Sequence, residues 1–459
     1  MKLVGVRPLL LAAVVLLPQW IWADSKLTQF TNLPTVYIET DGHRSITSKE
    51  QYISCTITIV DGDSTAVYPN TEIRGRGNST WWNSEKKPYR IKFATKQKLL
   101  GRHFANARSW TLLANHGDKT IIRNALTYDL GRFIGMDFCP AARFVDLYLN
   151  GSYRGTYQIS DQVQAHKRRI DISEDDGWIL EVANENSHED PYITSTVYRI
   201  MYNLKNPKDD ALTMQKRIAI GQWIEAMERA VKSDAFADPE HGYRAYFDEE
   251  SLINWYVGAE ITGNIDALYS IYMYKDSAEQ RMHFGPLWDL DIGYDNSSER
   301  SLLRAMEAFL GLWNRPFEKI LQRLWQDPWF ANACTERLNQ LINNGLQQYL
   351  LDHIDSLRTV IYQSQARNYE VWRINQQVFS FAKNRYHLTY DEYIDDLRQF
   401  VNNHIPYLQQ AFETRRQTAA VPYSIRRAET DDQALYDLQG RRTKNPTGVY
   451  IKNHKKYIP

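Results

Sequence analysis

The chain has 459 residues, enough for a large core in two or three structural units. With 43% hydrophobic and 24% charged residues it reads as a globular protein, and its formal net charge of zero offers no basic excess to release counterions, which argues against a nucleic-acid partner. Only three cysteines exist, Cys55, Cys139 and Cys334, without metal-ligand spacing, so a disulfide-stapled scaffold and a cysteine metal site are both excluded.

Residues 1–23 read as a secretory signal: Lys2 and Arg7 precede the apolar run Leu9–Leu17, and Ala23 offers a small residue for cleavage. The run is shorter than the roughly 20 apolar residues of a membrane span and is followed by Pro18 and Gln19. The expectation is an exported protein, periplasmic, surface-located or secreted, and not membrane-spanning.

Residues 24–185 are strand-rich. Val36–Thr40, Tyr52–Val60 and Tyr89–Phe93 alternate as strands, and Val145–Leu149 and Arg154–Ile159 flank the hairpin signal Asn150-Gly151. Trp178–Val182 is a further strand. One helix interrupts them, beginning at Thr120 and running to Gly135. Residues 186–418 are mostly helical, with helices over Thr213–Ser233, Asp248–Ile261, Arg315–Gln326, Phe330–Asn344, Tyr349–Ser364 and Tyr390–Arg416. A hairpin of Leu268–Tyr274 and Met282–Leu287 lies among them. Residues 419–459 read as a short β-hairpin tail.

Five segments carry chemistry. Ile73-Arg74-Gly75-Arg76-Gly77-Asn78 alternates glycine with arginine, so open backbone amides and forked cations suit phosphate oxygens. After Pro88, strand alternation puts Arg90 and Lys92 on one face; Lys87, Arg90 and Lys92 are all eligible phosphate contacts. Asp118 suits a helix cap, and Arg123, one turn on, suits holding another segment in place. Glu181 ends an apolar strand and needs a partner, either a cation or a metal. Finally, Asp266 precedes the hairpin and Asp289 and Asp291 follow it. A carboxylate before such a hairpin suits a general base, and hard oxygens after it suit magnesium.

These segments, with Tyr148-Leu149-Asn150-Gly151, Arg154-Gly155-Thr156-Tyr157 and Trp288-Asp289-Leu290-Asp291-Ile292-Gly293, stand in an order that resembles the spore coat protein H (CotH) kinase family over roughly residues 35–410. The resemblance implies an α+β, atypical protein-kinase-like two-lobe fold with a β-rich N-terminal lobe and a helical C-terminal lobe. It implies a bound ATP with Mg or Mn, and phosphate transfer to the hydroxyl of a protein substrate. Asp266 falls on the catalytic-loop acid and Asp289 on the metal-binding acid. The chain departs from the family pattern at Ser270-Ile271, where many members carry a metal-binding Asn, so the resemblance implies that this second metal ligand is either missing or replaced by Asn264, and at Asp161, where many carry Glu. A non-catalytic surface scaffold and a protein nucleotidyltransferase are the alternatives. The tail resembles the short C-terminal tails of many exported Bacteroidetes proteins.

Overall fold

The computed structural model describes residues 27–183, 191–263, 269–297, 316–379, 382–383 and 385–419, with short strands at 435–437, 442–443, 450–452 and 455–457. Asn264, Asp266, Leu268 and the signal segment lie outside the described residues.

Seven strands near the N-terminus close a barrel: β1 (Thr35–Thr40), β2 (Ile53–Asp61), β3 (Ser64–Gly75), β4 (Tyr89–Gln97), β5 (Ala107–Leu113), β6 (Ala142–Leu149) and β7 (Ser152–Ser160). The order around it is β1-β2-β3-β4-β5-β7-β6, and a parallel pairing of β1 with β6 closes the ring. Alternation decides which face is core. Val36, Ile38, Ile57, Ile73, Ile91, Trp110 and Leu147 are buried inside, while Arg74, Arg90 and Lys92 take the outer positions. The one strand of this set with a proline in its interior, β3, breaks register with β2 near Pro69-Asn70, and Asn70 takes a φ of 55°. A bulge there tolerates the missing proline N–H.

A second sheet has the order β12-β11-β8-β10-β9, from β8 (Trp178–Ala183), β9 (Tyr192–Thr194), β10 (Met201–Asn206), β11 (Tyr272–Lys275) and β12 (His283–Phe284). Strands from before and after residue 185 therefore share this sheet. The hairpin expected around residue 275 is β11 with β12, shorter than its sequence suggests, with Met273 opposite Phe284.

The helices are α1 (Ser79–Asn83), α2 (Arg123–Ile134), α3 (Met214–Lys232), α4 (Glu249–Thr262), α5 (Pro316–Leu324), α6 (Pro328–Asn343), α7 (Leu346–Trp372) and α8 (Tyr390–Ala419). Their ends follow local chemistry. Thr213 caps α3, Asp248 accepts from the Ser251 N–H at the start of α4, and Gly263 ends α4 in the left-handed region. The fold is thus mixed α+β, strands first and helices after, as expected. The closed barrel is the difference from a kinase-like two-lobe plan; its closing β1–β6 pair joins distant segments and has no local signature. The tail also differs: β13 (Leu435–Asp437), β14 (Arg442–Thr443), β15 (Tyr450–Lys452) and β16 (Lys455–Tyr457) form a four-stranded sheet rather than one hairpin. Strands that short show no readable period.

Helix α7 docks on the barrel through a buried polar joint. Gly155 has a φ of 90°, and a Cβ there would sit 2.2 Å from Asn368 Oδ1. That close approach lets Lys86, fully buried, donate to Asn368 Oδ1 (2.9 Å) and to the carbonyls of Ala114 (2.8 Å) and Thr156. Ser364 on α7 completes the joint, donating to the buried Asp146 at 2.6 Å. Burial pushes the Lys86 pKa well down, opposed by Asp146. Gly155→Ala should therefore lower stability by about 3 kcal/mol, combining left-handed strain with overpacking. Gly151→Ala, at a φ of 75° with nothing within 4 Å, should cost only about 1 kcal/mol. Equal losses in denaturant midpoints would contradict the joint.

In the helical core, Glu260 is fully buried and accepts from Tyr256 Oη at 2.6 Å. Burial raises its pKa to about 8, so the folded state holds a proton that the unfolded state releases near 4.5. Its contribution is complete below about pH 4.5 and is lost as pH rises through about 8. Glu260→Gln should remove that slope: between pH 6 and pH 9, to choose roughly bracketing conditions, the wild type should lose melting temperature relative to the variant. Parallel curves would refute a neutral buried Glu260.

Candidate functional site

The glycine-arginine segment begins as the last residues of β3. Ile73 points into the barrel, which turns Arg74 outward, and antiparallel pairing sets Arg74 directly opposite Arg90 on β4. Gly75 lies under the Trp81 ring, where a Cβ would meet ring carbons at 2.4 Å. That contact folds the segment back over β4, and the Arg76 N–H bonds Pro88 O at 3.2 Å. The Arg76 guanidinium reaches 5.9 Å from the Trp288 ring, immediately before Asp289. Arg74 packs 5.0 Å from the Tyr52 ring, and its buried Nε has no partner among the described residues.

The acidic turn Trp288–Asn296 is held from three sides. Asn124 Oδ1 accepts from the Leu290 N–H at 3.0 Å, and Arg123 Nε donates to Gly293 O at 3.2 Å, both from the first turn of α2. Asn296 Nδ2 donates to Gly117 O at 3.1 Å and to Asp291 O at 2.6 Å. From α4, Thr262 O accepts from the Tyr294 N–H at 2.6 Å. The clamped turn places Asp289 at a φ of 64°, a left-handed conformation uncommon for a residue with a side chain, and leaves it exposed. Asp291 is half-buried.

Aromatic rings join these parts. Trp288 stacks on Tyr128 (6.1 Å) and meets Tyr272 edge-on (6.3 Å). Burial chiefly raises the Tyr128 pKa; a Ser160 hydrogen bond and Arg76 oppose it, while Asp289 and Asp161 add to it. Tyr128 itself belongs to α2 and is buried. Tyr272 Oη donates to Glu181 at 2.6 Å, and Glu181 also accepts from Asn203 Nδ2 (2.9 Å) and pairs with Lys205 (2.9 Å).

The structure therefore brings Arg74 beside Arg90, and Arg76 beside the turn bearing Asp289 and Asp291. It engages other sequence candidates elsewhere. Lys92 pairs with Glu72 across the strands at 3.1 Å, Lys87 Nζ donates to Trp81 O at 2.6 Å, and Asn78 Oδ1 accepts from Lys49 Nζ at 2.9 Å. Asp118 caps the start of α2, accepting from the N–H groups of Thr120 (2.8 Å) and Arg123 (2.9 Å). Asp161 forms a buried pair with Arg169 at 2.8 Å, so the shorter side chain still finds a cation. Sequence reasoning missed Tyr128 and gave no role to Asn124 or Lys86, although Asn124 stands in the motif Arg123-Asn124 and Lys86 opens the basic segment Lys86–Lys92. Tyr128 had no signal beyond its place on the buried side of α2.

Asn264 and Asp266 are outside the described residues, and among those described no group of three or more His, Cys, Asp or Glu is arranged to hold a metal ion. No helix among the described residues is long and apolar enough to cross a membrane. No curated protein matches the chain. Residues 73–417 match the family model described as CotH kinase protein, and with most of the chain covered in this way, the protein belongs to the CotH kinase family.

Proposed function

We propose that this protein is an exported kinase that transfers the γ-phosphate of ATP to a Ser, Thr or Tyr hydroxyl of a protein acceptor. The observation that carries the reading is the placement of Arg76, from the glycine-arginine segment after β3, against Trp288 in the turn that bears Asp289. Arg74 stands on the same segment, opposite Arg90 on β4. Phosphate oxygens on the arginine side and a divalent cation on the carboxylate side fit this polarity.

Mg or Mn fits the donor set, since such ions are commonly bound by one or two carboxylates completed by phosphates and water. Asp289 would hold it with Asp291; when bound, it neutralises charge on the β- and γ-phosphate oxygens. Arg74, Arg76 and Arg90 bind and orient the phosphates through their side chains; the backbone amides of Gly75 and Arg76, expected from the sequence to be open, are taken by Ser48 O and Pro88 O. Trp288 and Tyr272 shield the site from water. Glu181, which already accepts from Tyr272, Asn203 and Lys205, fits a positioning role better than metal ligation. Asp266 is assigned to the acceptor by the family resemblance. The hydroxyl oxygen bonds to the γ-phosphorus, the bond to the bridging oxygen breaks, ADP leaves, and the proton passes to Asp266.

With Mg or Mn and ATP labelled at the α or the γ position, residues 24–459 should become labelled from γ only. Label from α would show nucleotidyl transfer, and no label together with no thermal shift by metal and ATP would sink both enzymatic readings. Asp289→Asn should reduce transfer by about 100-fold or more. Arg74→Met should raise the KM for ATP by about tenfold, from losing a charge-assisted contact of about 1.5–3 kcal/mol. An unchanged KM would remove Arg74 from the site.

A further inference from the structure

Six cations outside the candidate site form a surface that the proposed transfer does not use. Lys96, Lys98, Arg102 and Arg108 lie on the β4–β5 hairpin, and Lys167 and Arg168 lie on the segment after β7; all six are exposed. Neither residues 94–108 nor residues 164–169 contain an Asp or Glu. Among the described residues, none of the six pairs with a carboxylate; Arg108 and Arg168 bond only to backbone carbonyls through their guanidinium groups.

The two segments form one surface. Arg168 donates to the carbonyl of His103, His166 Nε2 lies 3.2 Å from Asn106 O, and Arg169 Nη2 donates to Ser109 O at 3.0 Å. The acidic run that follows, Asp171 to Asp176, bends toward α3, where Asp176 pairs with Lys216 at 2.8 Å. In a chain of zero formal net charge, this is a local concentration of one sign. It also connects to the candidate site. Arg169, next to Arg168, pairs with Asp161, and the preceding Ser160 pairs with Thr111 on β5, which in turn lies opposite Arg90.

We infer that this surface docks an acidic segment of the protein acceptor and delivers its hydroxyl to the candidate site; the acceptor role rests on the kinase reading. An anionic membrane fits less well. Interfacial anchors need a broad apolar face beside their cations, and Phe104 is the one large apolar side chain well exposed within these two segments. Fixed cations beside a site instead select a charged chain and speed its encounter.

The test is fluorescence anisotropy of a labelled Asp/Glu-rich peptide containing serine, without nucleotide, alongside a matched Lys-rich peptide and phosphatidylglycerol vesicles. The acidic peptide should bind alone, and binding should weaken about tenfold as NaCl rises from roughly 0.05 M to 0.3 M. Lys98→Glu with Lys167→Glu, at amines with no structural hydrogen bond, should weaken it by about tenfold more and raise the KM for peptide phosphorylation while kcat holds. Equal binding by the double variant, no binding, or tighter binding to vesicles would overturn the docking surface. Binding through the surface without γ-label on the peptide would instead overturn the kinase reading and, with it, the acceptor role.

Discussion

The candidate site depends on the buried ion pair of Arg123 with Asp118. The carboxylate accepts from the backbone at Thr120 and Arg123 as well as from the guanidinium, and so fixes how α2 starts. The other edge of the same guanidinium reaches Gly293 O in the acidic turn. One side chain thus sets the helix entry and the position of the acids together. The entry is strained: Ile121, β-branched, has a φ of 66°, a conformation that surroundings must impose. A buried pair contributes little net stability against apolar packing, yet removing one partner leaves a stranded charge. Its role here is to specify geometry.

Around that joint the molecule is arranged as two walls. The barrel presents arginines because its inside-outside alternation leaves Arg74 and Arg90 no place in the core. The opposite wall presents carboxylates because α2 and α4 clamp a turn whose backbone leaves Asp289 exposed. Helix α7 steadies the barrel from behind through Lys86, Gly155 and Asn368. A polar joint of this kind tolerates little slippage, since each unmet donor or acceptor costs about 1–3 kcal/mol.

Much of this was legible in the residues. Alternation located β1, β2 and β4, Asn150-Gly151 located the β6–β7 hairpin, and Asp248 and Gly263 bounded α4. The hairpin between the acids, and Arg123 as a residue holding another segment, also followed from local pattern. What escaped depended on register and distant contact. Arg74 faces Arg90, and Lys92 is drawn to Glu72, only because β3 and β4 pair in one register. Glu181 meets Asn203 and Lys205 on β10, a strand without a strong alternating signal. Lys86 reads like its neighbour Lys87, and only the approach of α7 makes it buried.

The most direct test of the account is the anomalous scattering of Mn in crystals soaked with Mn and a non-hydrolysable ATP analogue. The account predicts a metal peak about 2.0–2.2 Å from a carboxylate oxygen of Asp289, with phosphate density between that metal and the guanidinium groups of Arg74 and Arg76. A metal bound away from the Trp288–Asn296 turn, or a nucleotide seated off the β3–β4 wall, would contradict it.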